Sequence, residues 1–241
     1  LRADLQKRLG KTSFRTFGVS LDANNNDEKE LDPLGNVVGV NRKFISLAAL
    51  AGLTLDRSDD PLNPSRGWKV DARAQPTIAF GDQTLTYVRA PAQGSAYLPI
   101  GKSTVLAGRL RLGSVLGGNI PDVPASQRLF AGGGGSVRGY GYQAVGPRFP
   151  DNTPIGGLSL AEASFEVRQN FGPQWGAVAF VDTGTVGQTQ YPNFKDVSTG
   201  VGFGIRYNPG FAPIRADIAF PLNRRTGDGA FQIYLSIGQS F

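Results

Sequence analysis

The sequence predicts an all-β chain folded as an antiparallel transmembrane β-barrel, on three observations. Apolar residues recur at every second position along most of the chain, the period of a strand with one oily and one polar face. The alternating segments mostly run about 10 to 14 residues, against a usual five or six in a globular sheet, and suit a tilted bilayer crossing. Short turns take turns with longer, more polar loops, the pattern of the two sides of an outer-membrane barrel. No stretch of about 18 apolar residues occurs, which excludes a membrane-spanning helix but not membrane-spanning strands. The mean hydropathy of −0.19 conceals such strands, because their two faces average out.

About eleven strands are expected, beginning near Leu1, Thr12, Lys43, Gly67, Thr84, Lys102, Leu158, Trp175, Ser198, Pro213 and Ala230. Trp68, Val70, Ala72, Ala74, Ile78 and Phe80 oppose Lys69, Asp71, Arg73 and Gln75. Leu106, Leu110 and Leu112 oppose Arg109, Arg111 and Gly113. Val201, Phe203, Ile205 and Tyr207 alternate with Gly200, Gly202, Gly204 and Arg206, and Ile214, Ala216, Ile218 and Phe220 with Arg215 and Asp217. The last strand, Ala230 to Phe241, carries Phe231, Ile233, Leu235, Ile237 and Phe241 on one face. Turns are expected at 171–174, 208–212 and 100–101, and long loops at 24–42, 117–157, 187–197 and 223–229. The acidic tract from Asp22 to Asp32 reads as a solvated loop. Two connections break the rule: Gly81-Asp82 is short on the long-loop side, and Arg57–Arg66 is long on the short-turn side. A soluble β-sandwich would also alternate, but with shorter strands and a Lys-, Glu- and Thr-rich outer face. The polar face here holds Gly and single Arg, Asp or Glu residues that could pair, which suits an enclosed lumen better.

Composition narrows the function classes. With no Cys and no His, a thiolate nucleophile, a cysteine zinc site and Ser-His-Asp chemistry are all unavailable. No paired-carboxylate cleft stands out, so the chain reads as a non-enzyme without a cofactor or metal. Net charge is +6, yet Arg and Lys recur singly at alternate positions rather than in a patch, which argues against nucleic-acid binding. Opening at Leu1 without a signal-like segment, the chain reads as a processed or excised piece.

Residues 129–147, Leu-Phe-Ala-Gly-Gly-Gly-Gly-Ser-Val-Arg-Gly-Tyr-Gly-Tyr-Gln-Ala-Val-Gly-Pro, carry the one distinctive motif. Neither a Gly-Lys-Ser/Thr ending nor a following helix is present, so it is not a phosphate cradle. A flexible linker has no need of Phe130, Val137, Arg138, Tyr140 and Tyr142; glycines around one Arg suggest a loop folded back and packed.

The run Ser136-Val137-Arg138-Gly139-Tyr140, preceded by Gly132 and Gly133, resembles the loop signature of the BamA/TamA outer-membrane assembly superfamily. The turn from Asp56 to Trp68 is similar to that family's mid-barrel turn. The ending, 213–225 and 233–241, resembles the TamA branch, and Phe241 its C-terminal insertion signal. The resemblance implies a loop folded into the lumen, with Arg138 held by acids on neighbouring strands; the matching acids are Glu166 and Asp182. Periodicity independently turns both inward, since Phe165, Val167, Ala179 and Val181 take the opposite face. It further implies the Gram-negative outer membrane and a role in inserting barrel proteins such as autotransporters, by opening a seam beside the last strand and templating new strands. The implied partners are the lipid bilayer, substrate outer-membrane proteins and a TamB-like periplasmic protein. A two-partner secretion pore shares the loop motif and is the alternative. The resemblance also implies a barrel of about sixteen strands, within the range of outer-membrane barrels, so residues 1–241 are expected to be the C-terminal part of one barrel, with periplasmic POTRA domains absent.

Overall fold

The computed structural model describes residues 1–210 and 212–241, so Phe211, in the turn expected at 208–212, lies outside the described residues. Among these described residues eleven strands form one antiparallel sheet in sequence order. They are β1 (Arg2–Arg8), β2 (Phe14–Leu31), β3 (Val37–Asp56), β4 (Gly67–Phe80), β5 (Thr84–Ile100), β6 (Thr104–Leu116), β7 (Ser159–Phe171), β8 (Trp175–Gly187), β9 (Ser198–Tyr207), β10 (Ile214–Pro221) and β11 (Gln232–Ile237). Apart from one short 3₁₀ turn at Ala125–Gln127, the described residues hold no helix. Among the described residues β1 pairs with β2 alone and β11 with β10 alone, so the sheet of this fragment is not closed.

The alternation read from the sequence sorts the two faces. Phe17 and Val19 on β2, Leu110 and Leu112 on β6, and Phe203 and Ile205 on β9 are all exposed on the convex side. An apolar band left uncovered by protein is the surface a bilayer covers. The buried core lies on the other side, where the segment between β6 and β7 folds back over the inner wall. Val123, Leu129, Ala131, Val137, Tyr140 and Val145 from that segment pack on Tyr87, Val115, Leu160 and Val186 of the strands. Antiparallel bridges Leu129↔Gly157, Ala131↔Val145 and Arg148↔Pro154 give the segment its own ribbon structure. It is a packed plug.

Two expectations about the strands need correction. The acidic tract is strand, not loop: Asp22–Leu31 pairs residue for residue with Val37–Ser46, leaving only residues 32–36 as the turn. Composition misleads here because the tract's charges have partners. Asn41 donates to Asp27 at 2.8 Å, Arg42 pairs with Glu30, and the buried Glu28 accepts from the Ala125 amide at 3.0 Å. The second correction concerns the ending. β11 covers only Gln232–Ile237, so Phe231 precedes the strand and Phe241 lies beyond it. At Gly238 (φ 86°) the chain leaves the ladder; the Gly238 amide donates to the Pro213 carbonyl at 2.8 Å and the Gln239 amide to the Leu62 carbonyl at 3.1 Å. Those bonds carry the last residues inward.

Candidate functional site in the barrel interior

Arg138 is 1% exposed and stands at the centre of the inner wall. Its Nε donates to Asp182 Oδ2 at 2.6 Å and its Nη2 to Asp182 Oδ1 at 3.0 Å, a two-pronged pairing. The Arg138 amide adds a third bond to Asp182 Oδ2 at 3.1 Å. Nη2 also lies 2.8 Å from Glu166 Oε1, and Nη1 lies 3.2 Å from Asp217 Oδ2. Three strands, β7, β8 and β10, thus each give one carboxylate to a single guanidinium. The face of the guanidinium rests 3.4 Å from the centroid of the Phe180 ring, a cation–π contact in a desolvated setting. Burial works against the charge on Arg138, but the Asp182 hydrogen bonds and the Glu166, Asp182 and Asp217 charges outweigh it and hold its pKa above the ordinary value.

Glu166 and Asp217 have further partners, whereas every hydrogen bond to the Asp182 carboxylate comes from Arg138. Arg168 Nε donates to Glu166 Oε2 at 2.8 Å, and Ser240 Oγ to Glu166 Oε1 at 2.5 Å. Arg206 Nη1 donates to Asp217 Oδ1 at 2.5 Å. Arg138, Arg168, Arg206 and, at 4.0 Å, Arg215 surround Glu166, Asp182 and Asp217. A paired network of this kind tolerates burial, whereas loss of one member strands its partners.

The wall is shaped to let the loop approach. The inner face of β9 is Gly200, Gly202 and Gly204, which oppose Asp182, Phe180 and Val178 across the ladder. A Cβ on Gly200 would fall 1.9 Å from the Arg138 carbonyl oxygen, and one on Gly204 would fall 2.0 Å from Asp217 Oδ1. Gly139 has φ 99° and would place a Cβ 2.9 Å from the Phe220 carbonyl carbon, so this position needs glycine both for its backbone and for room.

The other motif residues lock the turn. Ser136 Oγ accepts from the Gly132 amide at 2.8 Å and donates to Glu162 at 2.5 Å. Gly133 closes the turn, its amide donating to the Val137 carbonyl at 3.3 Å and its carbonyl accepting from the Ser136 amide at 3.1 Å. Val137 is fully buried beside Gly184. The Tyr140 hydroxyl donates to Asn223 Oδ1 at 2.6 Å. Arginines from facing walls take the turn's carbonyls: Arg215 of β10 donates to Gly134 at 3.1 Å, and Arg109 of β6 to Gly135 at 2.9 Å and Ser136 at 3.1 Å.

The structure therefore brings Gly132, Gly133, Ser136, Val137, Arg138, Gly139 and Tyr140 together with Glu166 and Asp182. It does not bring the predicted terminal-strand residues to them. Ile233, Leu235 and Ile237 point outward and are exposed, and Phe231 is half exposed against Phe220. Phe241 corrects the expectation of one oily outer row. It turns into the interior, stacks on Tyr97 with centroids 6.5 Å apart, and lies beneath Arg109 and Arg168 at 5.2 and 5.3 Å. Several residues of the site went unread in the sequence, among them Glu162, Arg168, Asp217 as a partner of Arg138, and Tyr234. Asp217 follows the alternation that marked Glu166 and Asp182. Tyr234, on the inner face of β11, accepts from the Gly139 amide and donates to the Tyr140 carbonyl, both at 3.0 Å. Among the described residues no group of three or more acidic side chains is disposed to hold a metal ion.

Outer membrane protein assembly factor BamA of Nitratidesulfovibrio vulgaris is 30% identical over 208 residues, 82% of this chain and 26% of that protein. BamA of Neisseria meningitidis serogroup B is 25% identical over 224 residues, 77% of this chain and 28% of that protein. The chain thus spans about a quarter of the length of these relatives. The crystal structure of BamA from Haemophilus ducreyi lacking POTRA domains 1–3 shares the fold, with a TM-score of 0.76 at 18% identity over 96% of this chain and 52% of that one. The protein is a BamA-like barrel of the Gram-negative outer membrane. The family model for the Omp85 superfamily domain matches residues 1–241, and the chain belongs to that superfamily.

Proposed function

We propose that this barrel serves an outer-membrane protein assembly factor, working by strand templating without covalent chemistry. The observation that carries the reading is the arrangement around Arg138: a loop locked to β7, β8 and β10 and tied through Tyr234 to the terminal strand β11. A rigid wall braced against the terminal strand suits β-augmentation, in which an incoming strand pairs along a strand edge through its backbone groups. The resemblance of residues 213–225 and 233–241 to TamA supports autotransporters as substrates and a TamB-like periplasmic partner. Residues 1–241 act in this reading as the C-terminal part of one barrel, in keeping with their 52% coverage of the solved relative.

The test is Arg138→Ala in the full-length protein, in cells depleted of the wild-type copy. Removing one partner from a buried ionic network costs about 3–5 kcal/mol, enough to unseat the loop. Outer-membrane protein levels should fall while the variant still reaches the membrane. Full complementation would overturn the role given to the locked loop.

A further inference from the structure

Tyr234 is the one β11 side chain that hydrogen-bonds directly to the lumen loop among the described residues. It faces inward opposite Asp217 of β10, one strand in from the edge. Its hydroxyl uses both capacities at once, accepting from the Gly139 amide and donating to the Tyr140 carbonyl, each at 3.0 Å. Those are consecutive residues of the turn that carries Arg138. The ring lies flat on Gly134, where a Cβ would sit 2.9 Å from Cδ1, and packs on Val178, Phe180 and Ala219. Phe180 in turn supports the Arg138 guanidinium.

The ladder that keeps β11 in place is short. Six residue pairs join it to β10. A phenol that satisfies two main-chain groups of the turn is therefore a large share of what holds this strand. Neither element can move far without breaking the other's bond. We propose that Tyr234 is a positioning residue coupling the Val137–Tyr140 turn to the edge strand, so that release of β11 and unseating of the turn are one event. The coupling stands on geometry; its use in assembly rests on the function proposed above.

Hydrogen exchange on the full chain in lipid nanodiscs tests it, read separately for residues 232–237 and 136–141. In the wild type, both segments should open together, with one shared dependence on urea. Tyr234→Phe keeps the ring and leaves a buried amide and carbonyl unmet, so both segments should exchange about 10-fold faster or more. Ser236→Ala removes only the Arg215–Ser236 contact on the same strand and should quicken β11 without the turn. Faster exchange of β11 alone in Tyr234→Phe, or no change in either segment, overturns the coupling. So do two separate urea dependences in the wild type, a measurement that stands even if the variant fails to insert. Assembly activity is read in parallel. Coupled exchange with unchanged activity keeps the coupling and removes β11 from the proposed function, whereas uncoupled exchange ends the inference whatever the activity.

Discussion

Asp217 accepts from Arg206 at 2.5 Å and from Arg138 at 3.2 Å while being 2% exposed, so its charge is committed to two buried cations. Asp217→Asn keeps the shape and removes the charge. The expected loss is about 3–5 kcal/mol in urea unfolding from lipid or micelles. Asp182→Asn should cost a similar amount, and the double variant less than the sum, because both act through Arg138. A loss for Asp217→Asn below about 0.5 kcal/mol, the range of an ordinary surface change, would show that the third carboxylate contributes nothing. Its inward direction was legible, since Arg215 and Asp217 alternate with Ile214, Ala216 and Ile218. What could not be read was which strand's acid meets Arg138, because that depends on register accumulated across β7 to β10. The glycines of β9 stood in plain view as alternate residues, yet only the folded loop shows that Gly200 is the space for the Arg138 carbonyl. Gly200→Ala overpacks that contact and should cost about 1–3 kcal/mol, seen as faster protease cleavage within residues 129–147. Unchanged cleavage would mean the loop can lift without loss.

At the scale of elements, β2 gives the clearest lesson. Asn, Asp and Glu are poor strand formers by propensity, which made 22–32 look like loop; pairing with β3 and cover by the lumen loop overrode that preference. Lys29 at the far end of β2 holds this cover, donating to Asp151 at 2.6 Å and Thr153 at 2.8 Å. The hydrogen bond from Lys29, with bonds from Thr153 and the Lys29 charge, lowers the Asp151 pKa to about 2 from 3.8, against a small opposing effect of burial. A carboxylate lowered in the folded state contributes stability above its unfolded pKa, and that contribution fades as pH falls through the folded one. The tie between loop and β2 should therefore weaken between about pH 4 and pH 2. Pepsin, active throughout that window, should cut near residues 149–154 increasingly as pH falls. Lys29→Gln should be cut readily already at pH 4, with a flatter pH profile. A profile identical to wild type would remove Lys29 from the account. At the other end, the length of β11 was misread because alternation continues past Ile237, while Gly238 and the Leu62 and Pro213 carbonyls end the ladder.

Across the whole molecule, hydrophobicity is inverted relative to a soluble domain: the exposed convex face is oily, and the concave face holds charge and a packed loop. Period two made that split legible and located eleven strands, since it needs only local sequence. Which face meets lipid follows from placement of the loop and its ionic network, so substitutions of one residue type should differ by face. Arg109 and Arg111 already point inward on β6, with Leu110 between them outward and 64% exposed. Leu110→Arg places a charge in the apolar band and should cost about 2–4 kcal/mol near the bilayer midplane. Leu110→Ala removes side-chain volume from a face in contact with fluid lipid, where no rigid cavity remains, and should cost much less. Both are measured as the urea dependence of folding into vesicles. A sandwich with a water-facing convex side would abolish the ranking, because an exposed Arg is then harmless. Equal small losses for the two variants would therefore refute the assignment of this face to lipid, and with it the barrel reading on which the site's enclosure depends.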